Sequence, residues 1–230
     1  MNEQEIRELV QTLLGADASA PAAVSCPSPS PSPPPSPAAP GAREVLVEAS
    51  ARHLHLTDEA VRKLFGPDAT LGRVRDLSQP GEYLSDKRVR IVTPKGQIDN
   101  VAVLGPVRPA IQAELSLTDG RALGLRLPVN LSGDLTGAAD VYLVGTAGML
   151  EARGCAIAAR AHIHATPGDA ARLGIRDGQV VRVRVKGRRP IVLEQILVRV
   201  KETFDLAMHI DFDEANACAL EPGCMGEILD

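Results

Sequence analysis

Five histidines occur in the 230 residues, and four of them form two pairs: His53 and His55 in "ARHLHLT", and His162 and His164 in "AHIHAT". Residues i and i+2 of a strand point to the same face, so each pair presents two imidazoles side by side. Two protonated rings so placed repel, and two neutral ones gain little from each other. A divalent metal that takes one nitrogen from each resolves the arrangement. For a single pair, ordinary hydrogen-bonded or solvated histidines are the simpler account. Here the pairs are in register: 162 − 53 and 164 − 55 both give 109 residues, and Thr57 and Thr166 keep the same offset.

The context of the pairs repeats as well. Each is followed by a helix with a Thr cap, then by two β-rich stretches, "RVRIVTPKGQIDNVAVLG" and "VVRVRVKGRRPIVLEQILVRV". Each half then reaches a strand with one unusual polar residue, Glu114 in "QAELSL" and His209 in "AMHIDF". This reads as an internal duplication in which each unit presents three ligands. His53, His55 and Glu114 make one set, and His162, His164 and His209 the other. Three protein ligands with open positions is the catalytic pattern, whereas structural zinc has four, often thiolates. Zinc is the default metal for such donors, and cobalt or another divalent ion fits the same residues.

The elements that must position these residues are mostly strands. From about Ala42 the sequence predicts strands at 44–50, 88–93, 99–105, 112–117, 140–145, 179–186, 190–200 and 206–212, several alternating apolar with polar residues. Short helices are predicted at 57–66, 166–174 and 213–220. The second has a Thr cap, Pro at its first position and a terminal Gly. Many short strands with few helices indicate barrels or sandwiches. Aromatics are only 2% of the chain, so Val, Leu, Ile and Ala must fill the cores.

Residues 1–15 differ. Ile6, Leu9, Val10, Leu13 and Leu14 share one helical face, with Asn2 as cap and Gly15 as stop. Residues 16–42 hold nine of the 18 prolines and read as extended, solvated chain. The helix is therefore expected to be a tethered, sticky tag, the alternative being that it folds back on its own domain.

Bulk properties exclude several classes. A net charge of −4 argues against a general nucleic-acid binder. No apolar run approaches the ~20 residues of a membrane span, and the N-terminus lacks a secretion signal. The four cysteines form no paired motif. They are expected to be reduced, as in the cytoplasm, and inert, with Cys218, near His209 in sequence, the one to watch.

"VEASARHLHLT", "VLGPVRPAIQAELSLTD", "HIHATPGDAARLGIRDGQ" and "MHIDFDEANA" together resemble the PduL-type phosphotransacylases (phosphate propanoyltransferases) of bacterial microcompartments. The resemblance runs from about Glu44 to Leu220. It implies an all-β-dominated fold of two β-barrels with short capping helices and a dinuclear zinc site held by the six residues above. Residues 43–51 would complete the second barrel, residues 52–159 form the first barrel, and residues 160–230 form the second. The implied reaction is acyl-CoA plus phosphate to acyl phosphate plus CoA, with propanoyl-CoA or another short acyl-CoA as substrate.

Arg108 in "GPVRP" resembles a phosphate-contacting arginine. Ser50, Arg75, Leu104 and Asn216 match CoA contacts. Arg75 stands where the family can carry lysine, and Ala102 where it can carry arginine, a departure that removes one nucleotide contact. Ser132 resembles a serine near the active site, or is a plain turn residue before Gly133. The tag and tether look like an encapsulation peptide, implying shell or cargo proteins as partners, a microcompartment lumen as location, and a homo-oligomer. Two further readings stay open at this point: a dinuclear zinc hydrolase of acyl-CoA or phosphoesters, and a metal-stabilised adaptor without turnover.

Overall fold

The computed structural model describes residues 43–229. The expected helix over 1–15 and linker over 16–42 lie outside the described residues.

Fourteen strands follow in order: β1 (Glu44–Ala49), β2 (His53–His55), β3 (Arg73–Asp76), β4 (Tyr83–Thr93), β5 (Gly96–Gly105), β6 (Gln112–Leu115), β7 (Val129–Asn130), β8 (Ala139–Val144), β9 (Met149–Ala159), β10 (His162–Ala165), β11 (Val180–Val185), β12 (Ile191–Val200), β13 (Ala207–Ile210) and β14 (Met225–Ile228). Helices span Asp58–Phe65, Leu117–Ala122, Pro167–Leu173 and Phe212–Cys218. The strands close into two six-membered rings. One runs β4-β5-β2-β6-β9-β8 and returns to β4. The other runs β11-β12-β10-β13-β1-β14 and returns to β11.

The rings match strand for strand, in the same order and with the same sense of pairing. β2 pairs parallel with β5 and antiparallel with β6, placing His53 opposite Glu114. β10 pairs parallel with β12 and antiparallel with β13, placing His162 opposite His209. The strand that precedes each histidine pair joins the other ring: β1 lies between β13 and β14, while β9 lies between β6 and β8. The duplicated units thus exchange their first strands reciprocally, and neither ring closes without the other unit.

Each barrel has its own aliphatic core. Leu54, Ile91, Val101, Val103, Leu143 and Ala156 belong to one. Val45, Ile163, Val183, Val198, Met208 and Ile210 belong to the other. Leu54 and Ile163 are the middle residues of the two histidine pairs. Alternation sends them into the barrels and the flanking histidines to the opposite face. Those histidines are buried too, so β2 and β10 are covered on both faces.

Capping fixes where the strands that carry the candidate ligands end. Thr57, Thr166, Ser116 and Asp211 are the N-caps of the four helices among the described residues. Each lies two residues beyond His55, His164, Glu114 or His209. Strand-to-helix reversal immediately after each candidate ligand holds its backbone against a rigid turn. Two glycines complete the correspondence. A Cβ on Gly96, in the β4–β5 hairpin, would meet Ala122 O at 2.2 Å. A Cβ on Gly187, in the β11–β12 hairpin, would meet Cys218 O at 2.3 Å. Each hairpin tip packs against the end of the helix that follows the third-ligand strand.

The cap at Asp211 gives a pH prediction. Its capping-box partner Glu214 accepts from Asp211 N at 2.9 Å, and burial pushes the Glu214 carboxyl from 4.5 up to about 7. A carboxyl raised in the folded state favours folding below its unfolded pKa, and that advantage is lost as pH rises through about 7. Glutamine keeps the cap without ionising. Glu214→Gln is therefore expected to gain about 2–3 kcal/mol relative to wild type between pH 5 and pH 8. Urea unfolding at the two pH values checks this, and an unchanged difference would contradict it.

Candidate metal centre

The histidines and Glu114 converge on one cavity of about 600 Å³ lined by both barrels. Among the described residues, His53, His55 and Glu114 form one group with the geometry to hold an ion, and His162, His164 and His209 another; within each, candidate ligand atoms lie within 4.8 Å of one another. Ring centroids of His53 and His55 are 5.0 Å apart, and those of His162 and His164 are 4.6 Å apart.

The ring nitrogens fit a cation. His53 Nδ1 lies 2.8 Å from Ala51 O, and His162 Nδ1 lies 2.8 Å from Arg160 O. A carbonyl only accepts, so Nδ1 carries the proton in both rings and Nε2 keeps its lone pair toward the cavity. His55 Nδ1, both nitrogens of His164 and His209 Nε2 are buried without a hydrogen-bond partner. Glu48 Oε2 is 3.3 Å from His209 Nε2, near enough for charge attraction but without hydrogen-bond alignment. Each buried orphan costs about 1–3 kcal/mol, and an ion in each group would take up one nitrogen of each ring.

Protonation points the same way. Burial, helped by His53 and Arg108, lowers His55 to about 2. Burial, helped by His162 and His209, lowers His164 to about 2. Burial also lowers His162 to about 4, and it outweighs Glu48 in lowering His209. Burial alone would raise Glu114, but His53, the Ser132 hydroxyl, His162 and Arg108 hold it below the ordinary carboxylate value. Neutral imidazoles and an ionised carboxylate are the forms that bind metal.

The remaining expected residues are placed unevenly. Ser50, Arg75, Leu104, Arg108 and Ser132 line the cavity. Asn216 is exposed on the helix Phe212–Cys218 and lies outside the lining, although Phe212 of that helix is part of it. Arg108 N donates to Leu56 O at 2.9 Å, which pins its backbone beside the first group. Its guanidinium donates to Glu82 Oε1 at 2.6 Å.

Gln112 escaped the sequence reading. Buried on β6, it donates to Glu114 Oε1 and to Ser132 Oγ, the latter at 3.1 Å, and accepts from Gly133 N at 2.9 Å. It thereby ties the carboxylate to the Ser132 loop. The signal was available, since Gln112 and Glu114 are two apart on one strand, as the paired histidines are.

The three cysteines among the described residues stay out of the cavity. Cys218 lies in the core of the second barrel and donates to Ala215 O at 3.4 Å, and burial raises its thiol pKa. No described helix is long and apolar enough to cross a membrane.

The family model for phosphate propanoyltransferase matches residues 46–221. A phosphate propanoyltransferase of Sebaldella termitidis is 47% identical over 186 residues, covering 80% of this chain and 88% of the relative. One from Clostridioides difficile is 46% identical, covering 80% and 88%, and one from Thermotoga maritima is 43% identical, covering 81% and 89%.

Proposed function

The chain belongs to the phosphate propanoyltransferase family, and on that premise we propose that it transfers a short acyl group, propanoyl or similar, between CoA and phosphate at two divalent metal ions, zinc by default. The observation that carries this reading is the pair of three-ligand groups facing one cavity with buried, unpartnered ring nitrogens. His53, His55 and Glu114 would hold one ion, and His162, His164 and His209 the other. An ion with three protein ligands and open positions supplies Lewis acidity for a thioester carbonyl or a phosphate oxygen.

The protein's own groups account for the rest. Arg108 presents a planar fork suited to phosphate, and it lines the cavity together with Glu82, its ion-pair partner. Leu104 offers an apolar wall, while Ser50 and Arg75 supply polar contacts for CoA. A contact at Asn216 requires the nucleotide end to run out over the helix Phe212–Cys218. A phosphate oxygen attacks the thioester carbon directly. The new C–O bond replaces C–S, and the thiolate leaves as CoA. No described cysteine lines the cavity to carry an acyl group.

Cys218→Ser is accordingly expected to keep activity within about twofold while losing about 1–3 kcal/mol of stability, because a hydroxyl replaces a buried thiol. Steady-state rates and thermal melting measure the two effects, and complete loss of activity in a folded variant would overturn direct attack.

CoA release from propanoyl-CoA, with and without phosphate, tests the reading as a whole. Strict phosphate dependence supports transfer, whereas equal release in phosphate-free buffer identifies a hydrolase. Residues 1–15, with their apolar face and Pro/Ser-rich tether, would dock a homo-oligomeric enzyme to shell or cargo proteins of a microcompartment.

A further inference from the structure

The two barrels differ at one buried place beside the ligand groups. In the first, Gln112 stands opposite His55 and Glu114 opposite His53. In the second, Ala207 stands opposite His164 and His209 opposite His162. Both rings close, so the barrel itself does not call for an amide at position 112.

The Gln112 amide is satisfied in one orientation only. Nε2 donates to Glu114 Oε1 and to Ser132 Oγ, the latter at 3.1 Å, while Oε1 accepts from Gly133 N at 2.9 Å. A flipped amide would set its oxygen against the carboxylate and its donors against the Gly133 N–H. The bond to Glu114 therefore decides whether Gly133 N is held. Glu114 is divided in the same way. Its Oε1 is taken by Gln112, and its Oε2 faces His53 Nε2 at 3.7 Å. One oxygen belongs to the scaffold and the other to the ligand group.

The loop beyond Gln112 is anchored at its base and loose at its tip. β7 pairs with β9, and Arg160 N donates to Asn130 O at 2.8 Å. The Asn130 amide donates to Asp134 O at 3.1 Å and to Thr136 O at 2.9 Å. No atom outside the chain neighbours lies within 4 Å of where a Gly133 Cβ would stand. The tip is thus held by hydrogen bonds to Gln112 and not by packing. Ser132, at that tip, lines the cavity.

We propose that Gln112 is a positioning residue that couples the first ligand group to the Ser132 wall of the cavity. An ion that fixes Glu114 also fixes the Gln112 amide, and through it Ser132 and Gly133. This rests on the reading that His53, His55 and Glu114 hold an ion. The coupling is reciprocal, as linkage between two equilibria requires: the ion orders the loop tip, and the tip's bonds raise affinity for the ion. With Ala207 in the equivalent place, the second group has no such link.

Wild type and Gln112→Met are compared by zinc titration against a chromophoric chelator and by NMR-detected hydrogen exchange at Gly133 N. Methionine keeps the length and burial of the side chain but makes none of the three bonds. In wild type, zinc is expected to slow exchange at Gly133 about tenfold or more. In Gln112→Met, zinc should leave that exchange unchanged. One of the two zinc dissociation constants should rise about 10–100-fold, and the other should stay within about threefold of wild type. A merely structural Gln112 would lower the melting temperature but leave metal affinity and the zinc dependence of Gly133 exchange as in wild type, which would overturn the proposal. If Gln112→Met does not fold, Ser132→Ala, at a half-buried loop position, decides the matter. It should raise the same dissociation constant about three- to tenfold, and an unchanged constant would refute the coupling. A wild-type protein that binds no zinc overturns the metal reading and this proposal with it, whereas equal binding by wild type and variant overturns this proposal alone.

Discussion

His162→Ala is expected to lower phosphate-dependent CoA release by at least about a thousandfold and to reduce bound metal from two ions per chain to one. His53→Ala should do the same at the other group. These two residues occupy equivalent places, each with Nδ1 committed to a backbone carbonyl two residues earlier. Removing either would delete a proposed ligand and leave Arg160 O or Ala51 O without its donor. Two remaining donors keep little of the affinity that three provide. Because both groups face one cavity, the double variant should be hardly worse than either single one, as groups that act as a unit behave. Metal analysis and melting curves separate ligand loss from misfolding. A folded His162→Ala protein with both ions and full activity would show that this group is not a ligand set.

Arg108→Ala is expected to reduce kcat/KM for phosphate by about a hundredfold or more, and Arg108→Lys to restore only part of it, since an ammonium cannot reproduce the bidentate fork. The ion pair with Glu82 adds a second expectation. Truncating Arg108 leaves Glu82, 2.6 Å away in the intact pair, as an unopposed carboxylate in a cavity that must admit a dianion. Repulsion then compounds the lost contact, so Glu82→Gln should partly rescue Arg108→Ala. A double-mutant cycle measures the coupling. If Arg108→Ala leaves the phosphate KM and kcat unchanged, the guanidinium serves the barrel scaffold and not the substrate.

The sequence made the ligand strands legible because their period-two spacing and the offset of 109 residues report directly on which side chains share a face. The Thr caps after His55 and His164 were readable for the same reason. Other elements left weaker marks. The eleven residues of β9, "MLEARGCAIAA", are rich in small side chains with little strand preference, yet they complete the first barrel. The helix Leu117–Ala122 is six residues long and contains Gly120, so "QAELSL" reads as one strand through Leu117, whereas the Ser116–Asp119 capping box ends it at Leu115. Likewise Asp211 caps a helix where "LAMHIDF" reads as strand to Phe212. β3 is exposed along its length and β14 carries only four residues, too little for an apolar pattern. The reciprocal exchange of β1 and β9 depends on contacts across the whole chain, which local periodicity does not encode. At the site, Gln112 lacked metal-ligand chemistry and so passed as an ordinary strand residue.

The proposed acyl transfer to phosphate requires two metal ions in one cavity. Its most direct test is to strip the purified protein with a chelator and titrate zinc back, following CoA release from propanoyl-CoA with and without phosphate. The expected result is two ions bound per chain, activity that returns fully only with the second equivalent, and release that requires phosphate throughout. Full activity in the metal-free protein, or saturation with no metal bound, would contradict it.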